Sequence, residues 1–128
     1  MGLQDQKTSE IKRLLKSFAF ASSGLINVFR HERNFQIHCI LMVLAITAGF
    51  ILEISLMEWY MVIGSIAAVL SLELMNTAIE RTVDLVTDEM RPLAKAAKDA
   101  AAGSVFVAAI AAFFIGVLIF TPKIIEFL

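Results

Sequence analysis

A stripe of polar side chains runs through an apolar stretch in the middle of the chain. Glu73 follows an uncharged run from residue 59 to 72, and the segment after it, 74–79, has only Asn76 and Thr77 as polar members. On a helix, residues 73, 76, 77, 80 and 84 fall on one face. A carboxylate at membrane depth is costly, so it is expected to face a bundle interior and to take part in a reaction.

The residue types in and around this stripe suit phosphoryl transfer. Glu80 lies about two helical turns, roughly 10 Å, from Glu73, and Glu32 stands where an earlier apolar run begins. Two carboxylates can hold Mg²⁺ while substrate phosphates fill its other positions, and Lys98 is one of several nearby cations suited to a polyphosphate. The attacking hydroxyl then needs a base, and Glu73 is the natural one for an alcohol that arrives from lipid.

The same polar groups also have structural uses. Asp84 is expected to form an ion pair with one of the nearby cations, Arg81, Lys95 or Lys98. Asn76 could hydrogen-bond to another helix, and His38 is expected to be a packing residue. Glu73 has no comparable structural use at its depth.

Composition predicts an all-α membrane protein that forms one domain over residues 1–128. The chain is 59% hydrophobic with two prolines and six glycines, and its mean hydropathy is +0.79. So few turn residues argue against a β-rich fold. The pattern predicts an amphipathic surface helix over 8–27 with a loosened end at Ser22, Ser23 and Gly24. Three transmembrane helices are predicted over 33–52, 57–87 and 94–120, the last closed by Pro122.

Charge and small residues add an orientation and an assembly. Lysine and arginine are concentrated before the first span and in the 81–98 region, whereas the 53–58 turn has none. The positive-inside rule therefore places the N-terminus and the second connection in the cytoplasm. The small residues of 94–104 allow close helix packing in lipid. Since three spans were expected to be too few to shield several carboxylates, self-association is predicted as well.

No common soluble nucleotide-binding or nucleic-acid-binding pattern is present in the sequence. It contains no GxxxxGK[ST] loop and no basic stripe with interleaved aromatic residues. The sequence therefore argues against a nucleic-acid partner, and any nucleotide site would lie outside the common soluble folds.

Three segments carry a resemblance to a known family. They are Glu73-Leu-Met-Asn-Thr-Ala-Ile-Glu80, Glu32-Arg33-Asn34-Phe35 and Ala94-Lys-Ala-Ala-Lys-Asp-Ala-Ala-Ala-Gly103. They resemble the bacterial integral-membrane diacylglycerol kinase family over essentially the whole chain, in the form of its Gram-positive branch, chiefly undecaprenol kinases. The resemblance implies an ATP- and Mg²⁺-dependent homotrimer in the bacterial inner membrane, with cytoplasmic active sites shared between neighbouring subunits.

The resemblance also implies roles for individual residues. Glu73 matches the catalytic base, and Glu32 and Glu80 match the metal-binding glutamates. The positions implied near ATP are Arg13, Phe20, Glu32, Glu80, Glu89, Met90, Arg91, Lys98 and Asp99. The positions implied near the lipid substrate are Glu73, Asn76 and Ala102.

The expected reaction is phosphorylation of undecaprenol to undecaprenyl phosphate, the carrier lipid for envelope polymers. Diacylglycerol, which would give phosphatidic acid, stays open as the alternative substrate. Ala101 and Ala102 stand where many proteobacterial members have Gly-Ser, and this difference removes a hydroxyl that could touch a glyceride headgroup. Two rivals from other classes are a small ion or proton transporter that uses Glu73 and Glu80 as a relay and a non-catalytic membrane scaffold.

Overall fold

The computed structural model describes residues 3–128, with side chains described from residue 9 onward. Four helices account for nearly all of this range: α1 (Leu3–His31), α2 (Arg33–Ile51), α3 (Leu56–Val86) and α4 (Pro92–Phe127). The last three are each long and apolar enough to cross a membrane. The predicted all-α membrane class is confirmed, and α2 and α3 begin and end within one residue of the predicted limits.

The helices α3 and α4 form the most extensive packing interface of the molecule, and α2 packs against α3 next. Ion pairs close this antiparallel α3–α4 interface at both ends. Lys98 binds Asp84 at one end, and Lys123 lies 3.5 Å from Glu58 at the other. Since both pairs connect the same two helices, they also fix the register in which the intervening residues meet.

The α2–α3 turn is a Schellman motif. The Ile54 N–H donates to the Gly49 carbonyl at 3.1 Å, and the Glu53 N–H donates to the Phe50 carbonyl at 3.4 Å, which are the two hydrogen bonds that define the motif. Glu53 occupies the left-handed position with φ 48°, where glycine is usual. A capping box between Ser55 and Glu58 then begins α3.

A single residue separates α1 from α2. Glu32 is extended, with φ −108° and ψ 109°, and its N–H donates to the Val28 carbonyl at 2.8 Å. The side-chain amide of Gln36 also donates, through its Nε2, to the Phe29 carbonyl at 2.8 Å. The chain therefore changes direction at Glu32 while hydrogen bonds on both sides hold the junction together.

The limits of the first and last helices differ from the sequence prediction, and both helices begin earlier, at Leu3 and Pro92. The N-terminal helix does not loosen at 22–24 but continues to His31. One glycine costs a helix only about 1 kcal/mol, and the hydrogen bond from Arg81 to Asn27 holds the segment beyond it. The last helix passes through Pro122 to Phe127. Proline removes one backbone hydrogen bond, and the Lys123–Glu58 pair holds the segment beyond it against α3.

Gly49 is the close-approach point of the α2–α3 turn, and Gly49→Ala is expected to destabilise the protein. A Cβ there would lie 2.8 Å from Trp59 Cη2 and 3.1 Å from Ile54 Cδ1. Overpacking of this kind costs about 1–3 kcal/mol. Reversible unfolding in detergent micelles measures the loss, with Gly64→Ala as the matched control because its Cβ would meet no atom within 4 Å. Equal stability of the two variants would contradict this packing.

Candidate active site

The polar stripe of α3 is buried where it enters the helix bundle. Glu73 is 3% exposed, Asn76 8% and Thr77 3%, and they are the buried polar or charged residues of the described chain. Further along the helix Glu80 is half-buried and Asp84 is exposed. The stripe therefore runs from the packed interior to the surface along a single helix face.

Small and apolar residues of the neighbouring helices enclose this part of α3. The register set by the two α3–α4 ion pairs places Val105 opposite the turn with Asn76 and Thr77, and Ala101 opposite Glu80. Both α4 residues are buried, as is Phe35 of α2. Small side chains let helices approach closely in a membrane, which is the role predicted for the alanine-rich start of α4.

A single chain buries one of the carboxylates of the stripe and leaves the others accessible. Glu73 is 3% exposed, whereas the Glu32 side chain is 32% exposed and Asp84 is exposed. The predicted need for a neighbouring subunit to shield the carboxylates therefore does not apply to Glu73, and self-association stays a prediction for the others.

Three other ionisable groups lie within electrostatic range of Glu73. They are His38 on α2, Glu80 on α3 and Glu32 at the α1–α2 junction. Three carboxylates and an imidazole thus share one end of the bundle. The three carboxylates carry like charges, and such a group is suited to bind a cation or a proton.

Asn76 links the interior of this cluster to its surface. Its Nδ2 donates to Glu80 Oε1 at 3.1 Å. Its Oδ1 is buried and has no hydrogen-bond partner among the described atoms. Buried acceptors are nearly always paired in native structures, so this oxygen is available to a donor that a bound substrate brings.

Glu32 is held in place by an arginine of α3 that also contacts α1. Arg81 of α3 donates to Glu32 Oε1 at 2.9 Å and to Asn27 Oδ1 of α1 at 2.7 Å. The arginine therefore fastens α1 and the α1–α2 junction to α3. Glu32 and Glu80 are both oriented by neighbouring side chains in this way.

The depth of Glu73 follows from the length of α3. A hydrocarbon core about 30 Å thick is crossed by about 20 helical residues. Counted from Leu56, that length ends at Met75, about half a turn beyond Glu73. In this placement Glu73 lies just inside the hydrocarbon edge and Glu80 lies at headgroup level.

Several residues implied near ATP pair with other side chains or are exposed in the single chain. Lys98 pairs with Asp84, as predicted for Asp84, Lys95 pairs with Asp99, and Arg91 pairs with Glu89 at 3.1 Å. The remaining residues implied near ATP, Arg13, Phe20 and Met90, are exposed, as is Ala102, which was implied near the lipid substrate. Within one chain these groups are not gathered around Glu73.

Two contacts near the site were not predicted from the sequence. They are the hydrogen bonds that Arg81 donates to Glu32 and to Asn27. An arginine that follows directly on the polar stripe is a signal that could have pointed to Arg81. Asn27 has no such signal, because its contact with Arg81 spans 54 residues.

The donor set of the cluster fits a hard divalent cation. No group of three or more His, Cys, Asp or Glu side chains forms a metal cluster within the described chain. Mg²⁺ does not require one, because one or two carboxylates and the phosphates of a substrate are its usual ligands. Glu32 and Glu80 supply two such carboxylates.

Fold and site together define an α-helical membrane protein with a carboxylate cluster at one end of its bundle. The sequence profile of the prokaryotic diacylglycerol kinase family matches residues 19–120. The chain therefore belongs to that family, and the resemblance found in its sequence is confirmed. Kinase membership also goes against the ion-transporter and scaffold interpretations.

The individual relatives are named either undecaprenol kinase or diacylglycerol kinase. An undecaprenol kinase of Bacillus subtilis (strain 168) is 50% identical over 116 residues, which cover 91% of this chain and 94% of that protein. A diacylglycerol kinase of Pseudomonas aeruginosa is 38% identical, covering 77% of this chain and 80% of that protein. A diacylglycerol kinase of Escherichia coli K12 is 28% identical, covering 82% and 86%.

The contact between Arg81 and Glu32 predicts a local effect of Arg81→Met. Both side chains are partly exposed, at 47% and 32%, so the global stability should fall by no more than about 1 kcal/mol. Amide hydrogen exchange should nevertheless rise around residues 27–36, because the tie between α1 and α3 is lost. Arg91→Met is the control, since Arg91 pairs only with neighbouring Glu89. Unchanged protection at 27–36 would contradict the proposed fastening role.

Proposed function

We propose that this chain is an ATP- and Mg²⁺-dependent lipid kinase that converts undecaprenol to undecaprenyl phosphate for envelope polymer synthesis. The observation that carries the proposal is the buried Glu73 carboxyl, within electrostatic range of Glu32 and Glu80 at one end of the bundle. Family membership supplies the kinase class. The lipid named for the Bacillus subtilis relative, which is 50% identical, supports the substrate.

Glu73 acts as the general base in this proposal. The hydroxyl of the lipid alcohol approaches from the bilayer and gives its proton to the Glu73 carboxylate. Its oxygen forms a bond to the γ-phosphorus of ATP while the bond to the β,γ-bridging oxygen breaks, and ADP leaves. Positioning and electrostatic stabilisation account for most of the catalysis in such transfers.

Glu32 and Glu80 would hold Mg²⁺, because they are the two partly exposed carboxylates near Glu73. Bound there with ATP, Mg²⁺ would neutralise charge on the β- and γ-phosphates. Asn76 orients Glu80 through its 3.1 Å hydrogen bond. Arg81, which pairs with Glu32 at 2.9 Å, holds that carboxylate at the junction and adds a positive charge beside it.

The nucleotide site is proposed to be completed between subunits of a homotrimer. Arg13 lies about 21 Å along the α1 axis from Asn27, where α1 is tied to α3. Phe20 is 75% exposed, and the loop with Glu89, Met90 and Arg91 is exposed as well. One chain alone thus presents these groups outward, which supports a site shared with a neighbour.

The orientation of the chain in the membrane and the position of α1 at the membrane interface are also proposed. The lysines and arginines of 12–33 and 81–98 support a cytoplasmic position for α1, the α3–α4 connection and the glutamate cluster. The apolar side chains Ile11, Leu14 and Phe18 are 58–71% exposed on α1. This face is suited to lie in the membrane interface, with Lys12, Arg13 and Lys16 toward lipid headgroups.

Glu73→Gln is expected to lower kcat by at least about 100-fold, because the amide keeps the shape of the side chain but cannot accept the hydroxyl proton. Phosphate transfer from radiolabelled ATP to undecaprenol in micelles measures this loss. The control is Glu126→Gln, an exposed glutamate at the far end of α4. A Glu73→Gln protein that keeps most of its activity would refute the base assignment.

Undecaprenol and diacylglycerol can be distinguished by direct competition. With both lipids at equal mole fraction, kcat/KM should be larger for undecaprenol by about tenfold or more, with slower turnover of diacylglycerol. Thin-layer separation of the two radiolabelled products gives the ratio. Preference for diacylglycerol would select the alternative substrate and leave the kinase class intact.

A further inference from the structure

Arg81 joins two parts of the molecule through the two ends of one guanidinium group. Its Nη1 donates to Asn27 Oδ1 of α1 at 2.7 Å, and its Nη2 donates to Glu32 Oε1 at 2.9 Å. A guanidinium is a rigid planar fork that presents its donors in fixed directions. Because one fork serves both acceptors, a movement that breaks the contact with Glu32 also disturbs the contact with Asn27.

Glu32 is one of the two carboxylates proposed to hold Mg²⁺. Among the described side chains, Arg81 is the hydrogen-bond and ion-pair partner of this carboxylate. In the single chain an arginine of the protein itself thus balances the charge of Glu32. Two cations on one carboxylate repel each other, and Mg²⁺ accepts its oxygen ligands only in a nearly ideal octahedral arrangement. Arg81 and a divalent cation are therefore competitors for Glu32.

The pair between Arg81 and Glu32 is suited to being exchanged for another cation. The side chain of Arg81 is 47% exposed and that of Glu32 is 32% exposed, so the guanidinium can turn into water without disrupting a packed interior. Exposed ion pairs are weak, since water solvates the separated groups well. The pair can therefore be replaced by a metal ion that Glu32 and Glu80 bind together.

Release of Arg81 would also loosen α1. The contact between α1 and α3 is one of the two smallest interfaces between helices of the described chain, and Arg81 supplies the side-chain hydrogen bond that joins them. Arg13 and Phe20, implied near ATP by the family resemblance, lie on the same helix and are exposed. One side chain thus connects a proposed metal-binding glutamate to the helix that carries these nucleotide positions.

We propose, on the basis of the function proposed above, that Arg81 competes with the divalent cation for Glu32 and that its displacement releases α1 from α3. By linkage the reverse also holds, so the contact that fastens α1 weakens the binding of the cation by the same factor. Arg81 is thus a positioning residue that couples metal binding to the freedom of α1. It is neither a metal ligand nor a group that touches the lipid.

Mn²⁺ binding to the full chain in neutral detergent micelles, without nucleotide or lipid substrate, tests the competition, with free Mn²⁺ measured by EPR. Arg81→Met should lower the Mn²⁺ dissociation constant by about three- to tenfold, because a positive charge beside Glu32 is removed. Arg81→Lys, which keeps the charge, should stay within about twofold of wild type. Lys123→Met is the control, since it removes a positive charge at the far end of the bundle, beside Glu58.

A purely structural role for Arg81 predicts the opposite sign. If the arginine only held Glu32 in place for the metal, its loss would weaken Mn²⁺ binding. An unchanged or higher dissociation constant in Arg81→Met therefore overturns the competition. Glu32→Gln separates this result from a failure of the proposed function. If Glu32→Gln binds Mn²⁺ as well as wild type does, the proposed metal site is wrong, whereas weaker binding there without a gain in Arg81→Met overturns only the competition.

Amide hydrogen exchange tests the link to α1. Saturating Mg²⁺ alone should raise exchange over residues 27–31 of the wild-type protein by about threefold or more, because Arg81 no longer ties Asn27 to α3. Arg81→Met should exchange fast there with and without Mg²⁺, and Glu32→Gln should show no response to Mg²⁺. Exchange over 27–31 that stays equal or falls when Mg²⁺ binds to the wild-type protein overturns the release of α1.

Discussion

Burial of one carboxyl group at the edge of a hydrocarbon layer is the constraint on which the rest of this structure depends. A charge placed there without partners would be expelled or neutralised, so Glu73 needs walls that keep lipid away. The bundle buries Glu73 to 3% exposure, and small and apolar residues such as Ala101 and Val105 of α4 are buried along the same interface. It also leaves Glu73 in reach of the charges on Glu32 and Glu80.

The helices are held in the register that this site requires by contacts at both ends of the bundle. Lys98–Asp84 and Lys123–Glu58 join α3 to α4, while the tight turn after Gly49 joins α2 to α3. Partly exposed ion pairs contribute little stability individually, so their main effect is to select one alignment of two long apolar helices. Apolar packing alone would discriminate poorly between neighbouring registers.

Much of this architecture could be predicted from the sequence, because membrane spans and polar stripes are local patterns. The limits of α2 and α3, the buried face of Glu73 and Asn76 and the ion pair of Asp84 all follow from hydropathy and helical periodicity. Contacts between distant segments do not. The hydrogen bonds from Arg81 to Asn27 and Glu32 depend on how the helices pack. The contact of Lys123 with Glu58, just beyond Pro122 of α4, likewise joins distant segments.

The central claim is that the buried Glu73 carboxyl and the metal–nucleotide complex share one site, and paramagnetic solid-state NMR tests it most directly. Protein labelled with ¹³C-glutamate in bilayers would be observed with ATP and Mn²⁺ in place of Mg²⁺. We predict that Mn²⁺ broadens the carboxyl signals of Glu32, Glu80 and Glu73 and leaves that of Glu58, at the far end of α3, sharp. A Glu73 signal as sharp as that of Glu58 would contradict the account.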